Sequence, residues 1–341
     1  MSVISELQAT IEQLVDGRRG ILAADESQGT IAKRFAAVNI SCTEERRCAY
    51  RSMLLSTTGL GDYIAGVILF EETLGQRDAN GTALPALASA QGIVPGIKVD
   101  KGKGPLPGAP GDLITYGLDG LAERLETYKA QGARFAKWRE VYPISHHNPT
   151  TLGLTANAEM LARYAAVCQS VGMVPIVEPE VLIDGEHDIE RSATVNERVW
   201  HSVFHALHQH GVALEYILLK PSMVTPGKAS GKADPQQVAE YTLRILRRTV
   251  PAAVPSINFL SGGQSPSEAT DNLNAINQLK HNSPWQLSFS YARALQEPTL
   301  KAWAGLADNV AAAQDTFLTR ARLNHLAMLG EYRVDIESDA T

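Results

Sequence analysis

Tyr216-Ile217-Leu218-Leu219-Lys220-Pro221 places one lysine at the end of an apolar run, and a proline stops the run. So short and apolar a run predicts a strand buried on both faces. Working outward, similar runs recur at residues 20–25 (GILAAD), 63–70 (YIAGVILF), 93–99 (IVPGIKV), 134–139 (RFAKWR), 174–178 (VPIVE), 256–261 (SINFLS) and 285–290 (WQLSFS). Between them lie stretches with apolar residues at i, i+3, i+4 and i+7, as in residues 152–171, LGLTANAEMLARYAAVCQSV. Apolar strands alternating with amphipathic helices predict an α/β fold with a parallel sheet covered by helices. Eight such units suit a single (β/α)8 TIM barrel; a doubly wound open sheet is the alternative that the pattern leaves open.

The chain has 341 residues, 44% of them hydrophobic and 20% charged, which suits one soluble barrel domain. That domain is expected over residues 1–331, with residues 332–341 as a loose polar tail. An N-terminal helix is expected to open it, with Ile4, Leu7, Ile11 and Leu14 at helical spacing. A formal charge of −6 argues against nucleic acid or an anionic membrane as the main partner. The N-terminus lacks a basic leader and a continuous apolar core, and apolar runs such as 64–70 fall short of a membrane span. The expectation is a cytoplasmic protein. Cys42, Cys48 and Cys168 are too few for a disulfide framework and read as reduced thiols.

Charges interrupt the strands at one end. Asp25, Lys98, Lys137 with Arg139, Glu178 with Glu180, Lys220, and Arg293 just past the eighth run all stand at carboxyl ends. Side chains two apart on a strand share a face, so each of the two pairs can point into one mouth. This predicts an active-site ring. Burial disfavours the charged form of Lys220, and a cation such as Lys137 would disfavour it further, leaving free amine near neutral pH. A free amine attacks a ketone to form an iminium, which withdraws electrons from the neighbouring carbon–carbon bond. A structural ion pair with Glu178 or Asp25 is the other reading of Lys220.

After the seventh run comes Leu260-Ser261-Gly262-Gly263-Gln264-Ser265, whose adjacent glycines allow backbone N–H groups to approach an anion. Arg293 would add a bidentate donor, and Ser290 in the eighth run is counted with this set. The Gly- and Pro-rich loops 101–117 and 223–235 each follow a strand and are expected at the same mouth. Residues 227–233 (GKASGKA) fail the nucleotide phosphate-loop spacing. His201, His205, His208 and His210 fall on a helix expected outside the barrel, so they are read as surface or interface residues and no metal is expected.

Over nearly its whole length the chain resembles class I fructose-bisphosphate aldolases. The resemblance rests on GILAADES, GVILFEETL, GIKVDKG, GLDGLAERLETYKAQGARFAKWR, VPIVEPE, LLKPSMVTPG, FLSGGQS, LNAIN and SFSYARALQ. It implies reversible cleavage of fructose 1,6-bisphosphate through a lysine Schiff base without a cofactor, or in the alternative a preference for fructose 1-phosphate. It implies Lys220 as the Schiff-base lysine, Glu178 as the proton shuttle, Asp25 as base for the C4 hydroxyl, and Lys137 as a contact to that oxygen. Glu180 would hold neighbouring cations. Ser261, Gly262 and Arg293 match the C1-phosphate site, while Ser27, Thr30, Lys33, Arg34, Lys98 and Arg139 match residues near the C6 phosphate. The partners implied are sugar phosphates and copies of the chain itself, usually in a tetramer. Two departures stand out. Ala292 replaces a glycine common in the family, and the sequence ends Asp339-Ala340-Thr341 where animal members carry a terminal tyrosine. The tyrosine's role in proton exchange is therefore not carried over.

Overall fold

Runs of Val, Ile and Leu become strands where both of their faces can be buried. In the computed structural model, which describes residues 2–335, eight do so. They are β1 (Gly20–Ala24), β2 (Ile64–Leu69), β3 (Val94–Lys98), β4 (Phe135–Tyr142), β5 (Val174–Val181), β6 (Leu218–Leu219), β7 (Ser256–Phe259) and β8 (Gln286–Tyr291). Each pairs in parallel with its neighbours, and β8 pairs with β1, so the sheet closes into a (β/α)8 barrel and the open-sheet alternative fails.

Strand alternation divides the side chains between two cores. Leu22, Val67, Ile97, Trp138, Val177, Leu219 and Phe259 face outward and pack with the helices. Ile21, Ile68, Val94, Phe135, Val174, Ile176 and Leu218 belong to a separate inner cluster. Helix Val3–Leu14 closes the amino end of that cluster with Leu7, Ile11 and Leu14, and Ser2 Oγ caps it by accepting from the Ser5 N–H at 3.2 Å. Ile4 does not join them; it is exposed.

Three strands depart most from the expected bounds. β6 is only two residues long, because Leu214–Tyr216 winds into a 3-10 turn. The ladder still reaches the lysine, whose N–H donates to the Val177 carbonyl at 2.8 Å. β4 and β5 run on past the apolar stretch, in unbroken register from Phe135↔Val174 to Tyr142↔Val181. Their charged residues are therefore inside the ladder.

Loop 101–117 holds an antiparallel ribbon of Lys103–Pro105 with Leu113–Thr115. Thr115 ties it to β4, donating Oγ1 to the Arg139 carbonyl at 2.9 Å and its N–H to Glu140 Oε2 at 3.2 Å. Helix Ile189–Gln209 follows β5 and packs between helices Thr151–Ser170 and Pro235–Thr249 on the outside. His201, His205 and His208 are exposed on it. His210 lies just past its last turn, 2.9 Å from Glu159. Cys42, Cys48 and Cys168 are free thiols. Tyr332, the first residue of the expected tail, is buried and donates its N–H to Asn274 Oδ1 at 3.0 Å. Most of that expectation, residues 336–341, lies outside the described residues. Among those described, no helix is long and apolar enough to cross a membrane.

Candidate active site

At the carboxyl end the inward-facing positions change from apolar to charged. Asp25 follows β1, Lys98 ends β3, and Lys137 and Arg139 lie in β4. Glu178 and Glu180 lie in β5, and Lys220 follows β6. With Ser27, Thr30, Lys33, Arg34, Ser261, Gly262, Gly263, Ser290 and Arg293 they line one cavity of about 860 Å3. The structure thus brings every site residue expected from the sequence to a single mouth.

At its floor, four buried charges alternate in sign. Lys137 Nζ lies 2.7 Å from Asp25 Oδ2 and 3.1 Å from Glu178 Oε2, and Lys220 Nζ lies 3.3 Å from Glu178 Oε1. Burial alone would raise the Asp25 carboxyl, but the Lys137 and Lys220 ammonium groups hold it well below the usual carboxylate range. Burial would lower Lys137, yet Asp25 and Glu178 together hold it well above the usual lysine range. Lys220 moves the other way. Burial lowers it, Lys137 adds to the effect, and Glu178 and Asp25 only partly offset them. Two lysines on one floor are therefore held in opposite directions, and Lys220 is the one brought towards the free amine.

The walls carry more compensated cations. Arg139 bonds Glu180 through Nε, and Lys98 lies 2.7 Å from Asp100 Oδ1. On one side, helix Gln28–Ala36 begins at Ser27, whose Oγ lies 3.1 Å from Thr30 Oγ1, and carries Lys33 and Arg34 in its last turn. On the other, the loop after β7 turns through Gly262 (φ 53°) and Gly263 (φ 92°). At Gly263 that positive φ is one that residues with a side chain rarely adopt, so the turn favours glycine. Ala292 has φ −104°, outside the left-handed region, so this position does not call on glycine's freedom to adopt positive φ. The Arg293 guanidinium donates to the Gln264 carbonyl at 3.3 Å.

The sequence reading missed two buried acids that line the site. Asp100 stands two residues after Lys98 and pairs with it, a spacing of the kind that linked Lys137 with Arg139. Glu26, next to Asp25, is buried and bonds Arg34 and Arg51. Its partners come from other segments, so only its neighbour in the motif could have flagged it.

Comparison with known proteins finds relatives along nearly the whole chain. The family model described as fructose-bisphosphate aldolase class-I matches residues 6–341. Fructose-bisphosphate aldolase 4, cytosolic, of Arabidopsis thaliana is 54% identical over 333 residues, covering 97% of this chain and 85% of that protein. The same plant's fructose-bisphosphate aldolase 1, chloroplastic, is 53% identical over 335 residues, covering 98% of this chain and 83% of that protein. Among solved structures, the fructose-bisphosphate aldolase of Plasmodium falciparum, crystallised with TRAP and a small-molecule inhibitor, superposes with a TM-score of 0.95. It is 50% identical and covers 97% of this chain and 96% of its own.

Proposed function

This chain belongs to the class-I fructose-bisphosphate aldolase family, and from that premise we propose that Lys220 forms the Schiff base through which it acts. The activity is reversible aldol cleavage of fructose 1,6-bisphosphate to dihydroxyacetone phosphate and glyceraldehyde 3-phosphate, a carbon–carbon lyase step of glycolysis. One observation carries the mechanism: Lys220 Nζ lies 3.3 Å from Glu178 Oε1, on a floor where burial and Lys137 lower its pKa.

The Lys220 ammonium passes a proton to Glu178, 3.3 Å away, the free amine adds to the substrate ketone, and the carbinolamine loses its hydroxyl as water on taking that proton back from Glu178. The resulting iminium draws the C3–C4 electron pair towards itself. Asp25 removes the C4 hydroxyl proton, so the bond breaks to an aldehyde and an enamine still held on Lys220. Lys137, 2.7 Å from Asp25, offsets charge on that oxygen as it develops. Glu180 keeps Arg139 in place. Since the iminium is the electron sink, this route calls on no metal.

Each end of the cavity holds one phosphate. Ser261, Gly262, Gly263, Ser290 and Arg293 bind the one beside the ketone. Lys33, Arg34, Lys98 and Arg139, with Ser27 and Thr30, bind the distal one. Four cations at the distal end favour the bisphosphate over fructose 1-phosphate. Steady-state kinetics on both substrates test this: kcat/KM is expected to be higher for the bisphosphate, and the reverse order would establish the alternative. Relatives named as cytosolic support a cytoplasmic location. Family membership supports a homotetramer, for which light scattering would give about four times the 36.8 kDa chain mass.

A further inference from the structure

We propose that Glu26 is a positioning residue: it holds Arg34 over the distal end of the cavity and so sets the affinity for the second phosphate. The inference rests on the reading above, in which that end receives a phosphate. Arg34 stands in the last turn of helix Gln28–Ala36, with a long side chain that would extend into water unless something held it. Its Nη1 bonds Glu26 Oε1 and its side chain is 23% exposed, while the Glu26 carboxylate is only 3% exposed.

What holds Glu26 is itself fixed. Glu26 Oε1 also accepts from Gln296 Nε2 at 2.9 Å, and that nitrogen reaches the Ala23 carbonyl at 2.7 Å. Glu26 Oε2 accepts from Arg51 Nη2 at 2.5 Å, and Arg51 Nη1 bonds the Ala24 carbonyl. Arg51 and Gln296 are both buried, and both grip the end of β1 directly before Asp25. Three donors on one buried carboxylate leave it a single orientation, and Arg34 is the one donor among them that lines the cavity. Glu26 thus ties the distal cation to the strand that carries the floor.

The test separates positioning from plain structural support. KM and kcat are measured for fructose 1,6-bisphosphate and fructose 1-phosphate in the wild type, Glu26→Gln, Arg34→Ala and the double variant. Glu26→Gln is expected to raise KM for the bisphosphate by about tenfold and KM for the monophosphate by less than about twofold. In the Arg34→Ala background it should add no further selectivity, since coupled residues are not additive. Glu26→Asp keeps a charge beside Arg51 but withdraws it from Arg34, so it should show the same split if Glu26→Gln does not fold. Equal KM changes on the two substrates, or a split that persists without Arg34, would overturn the proposal. A wild type that prefers the monophosphate would instead refute the substrate reading.

Discussion

β4 buries Phe135 completely at the amino end of the barrel and, two residues on and facing the same interior, leaves Lys137 4% exposed. β5 repeats the change, from Val174 and Ile176 to Glu178 and Glu180. Burial is nearly equal at both ends, but the compensation differs. At the amino end each side chain is balanced by apolar contact with its neighbours and with helix Val3–Leu14. At the carboxyl end each charge is balanced by an opposite charge at about 3 Å. Buried ion pairs contribute little net stability, because desolvation offsets their attraction. The lesson is that one end holds the barrel together while the other stores reactivity within it.

Substitutions can break this contrast. The largest effect is expected at Lys220→Arg, which keeps the charge but cannot lose its proton at neutral pH. kcat should fall by roughly four orders of magnitude, about 5.5 kcal/mol of barrier, with circular dichroism unchanged. Next is Lys137→Met, which leaves Asp25 and Glu178 without the cation between them. Denaturant unfolding should show a loss of about 3–5 kcal/mol, as when one partner of a buried pair is removed. Third is Leu14→Ala in the amino-end plug, expected to cost about 2–5 kcal/mol through the cavity it opens. Its kcat in the folded enzyme should stay within about twofold of wild type; a larger fall would blur the division between the ends.

Two smaller effects concern pH. Burial and then Lys137 lower the Lys220 pKa, so the acidic limb of kcat/KM should rise as the amine deprotonates. In residual Lys137→Met activity that limb should shift to higher pH, since one of the causes that lower Lys220 is gone. The smallest effect is at Glu140, where burial pushes the carboxyl up to about 7 from an ordinary 4.5. The folded state then binds the extra proton between those values, so this group's stabilisation is present at low pH and is lost as pH rises towards 7. Glu140→Gln removes that dependence. The fall in Tm between pH 5 and pH 8 should shrink by on the order of 2 °C.

The barrel was legible because strands buried on both faces leave unbroken apolar runs, and all eight were visible between helical patterns. The ends of β4 and β5 were not, because Arg139, Glu178 and Glu180 break the hydropathy pattern without breaking the ladder. β6 reads longer than it is, since Tyr216 is apolar enough to look like strand but belongs to a 3-10 turn. The charged floor could be read from strand ends alone, because topology carries every such end to one mouth. Glu26 could not, for its partners lie 8, 25 and 270 residues away and hydropathy carries no trace of their pairing.

The most direct test of the account is covalent trapping. Borohydride added with dihydroxyacetone phosphate reduces an iminium to a stable secondary amine, and peptide mass mapping then locates it. The expected result is loss of activity in proportion to one adduct per chain, on the peptide that carries Lys220. An adduct on Lys137 or Lys98 instead, or full activity with no adduct, would contradict it.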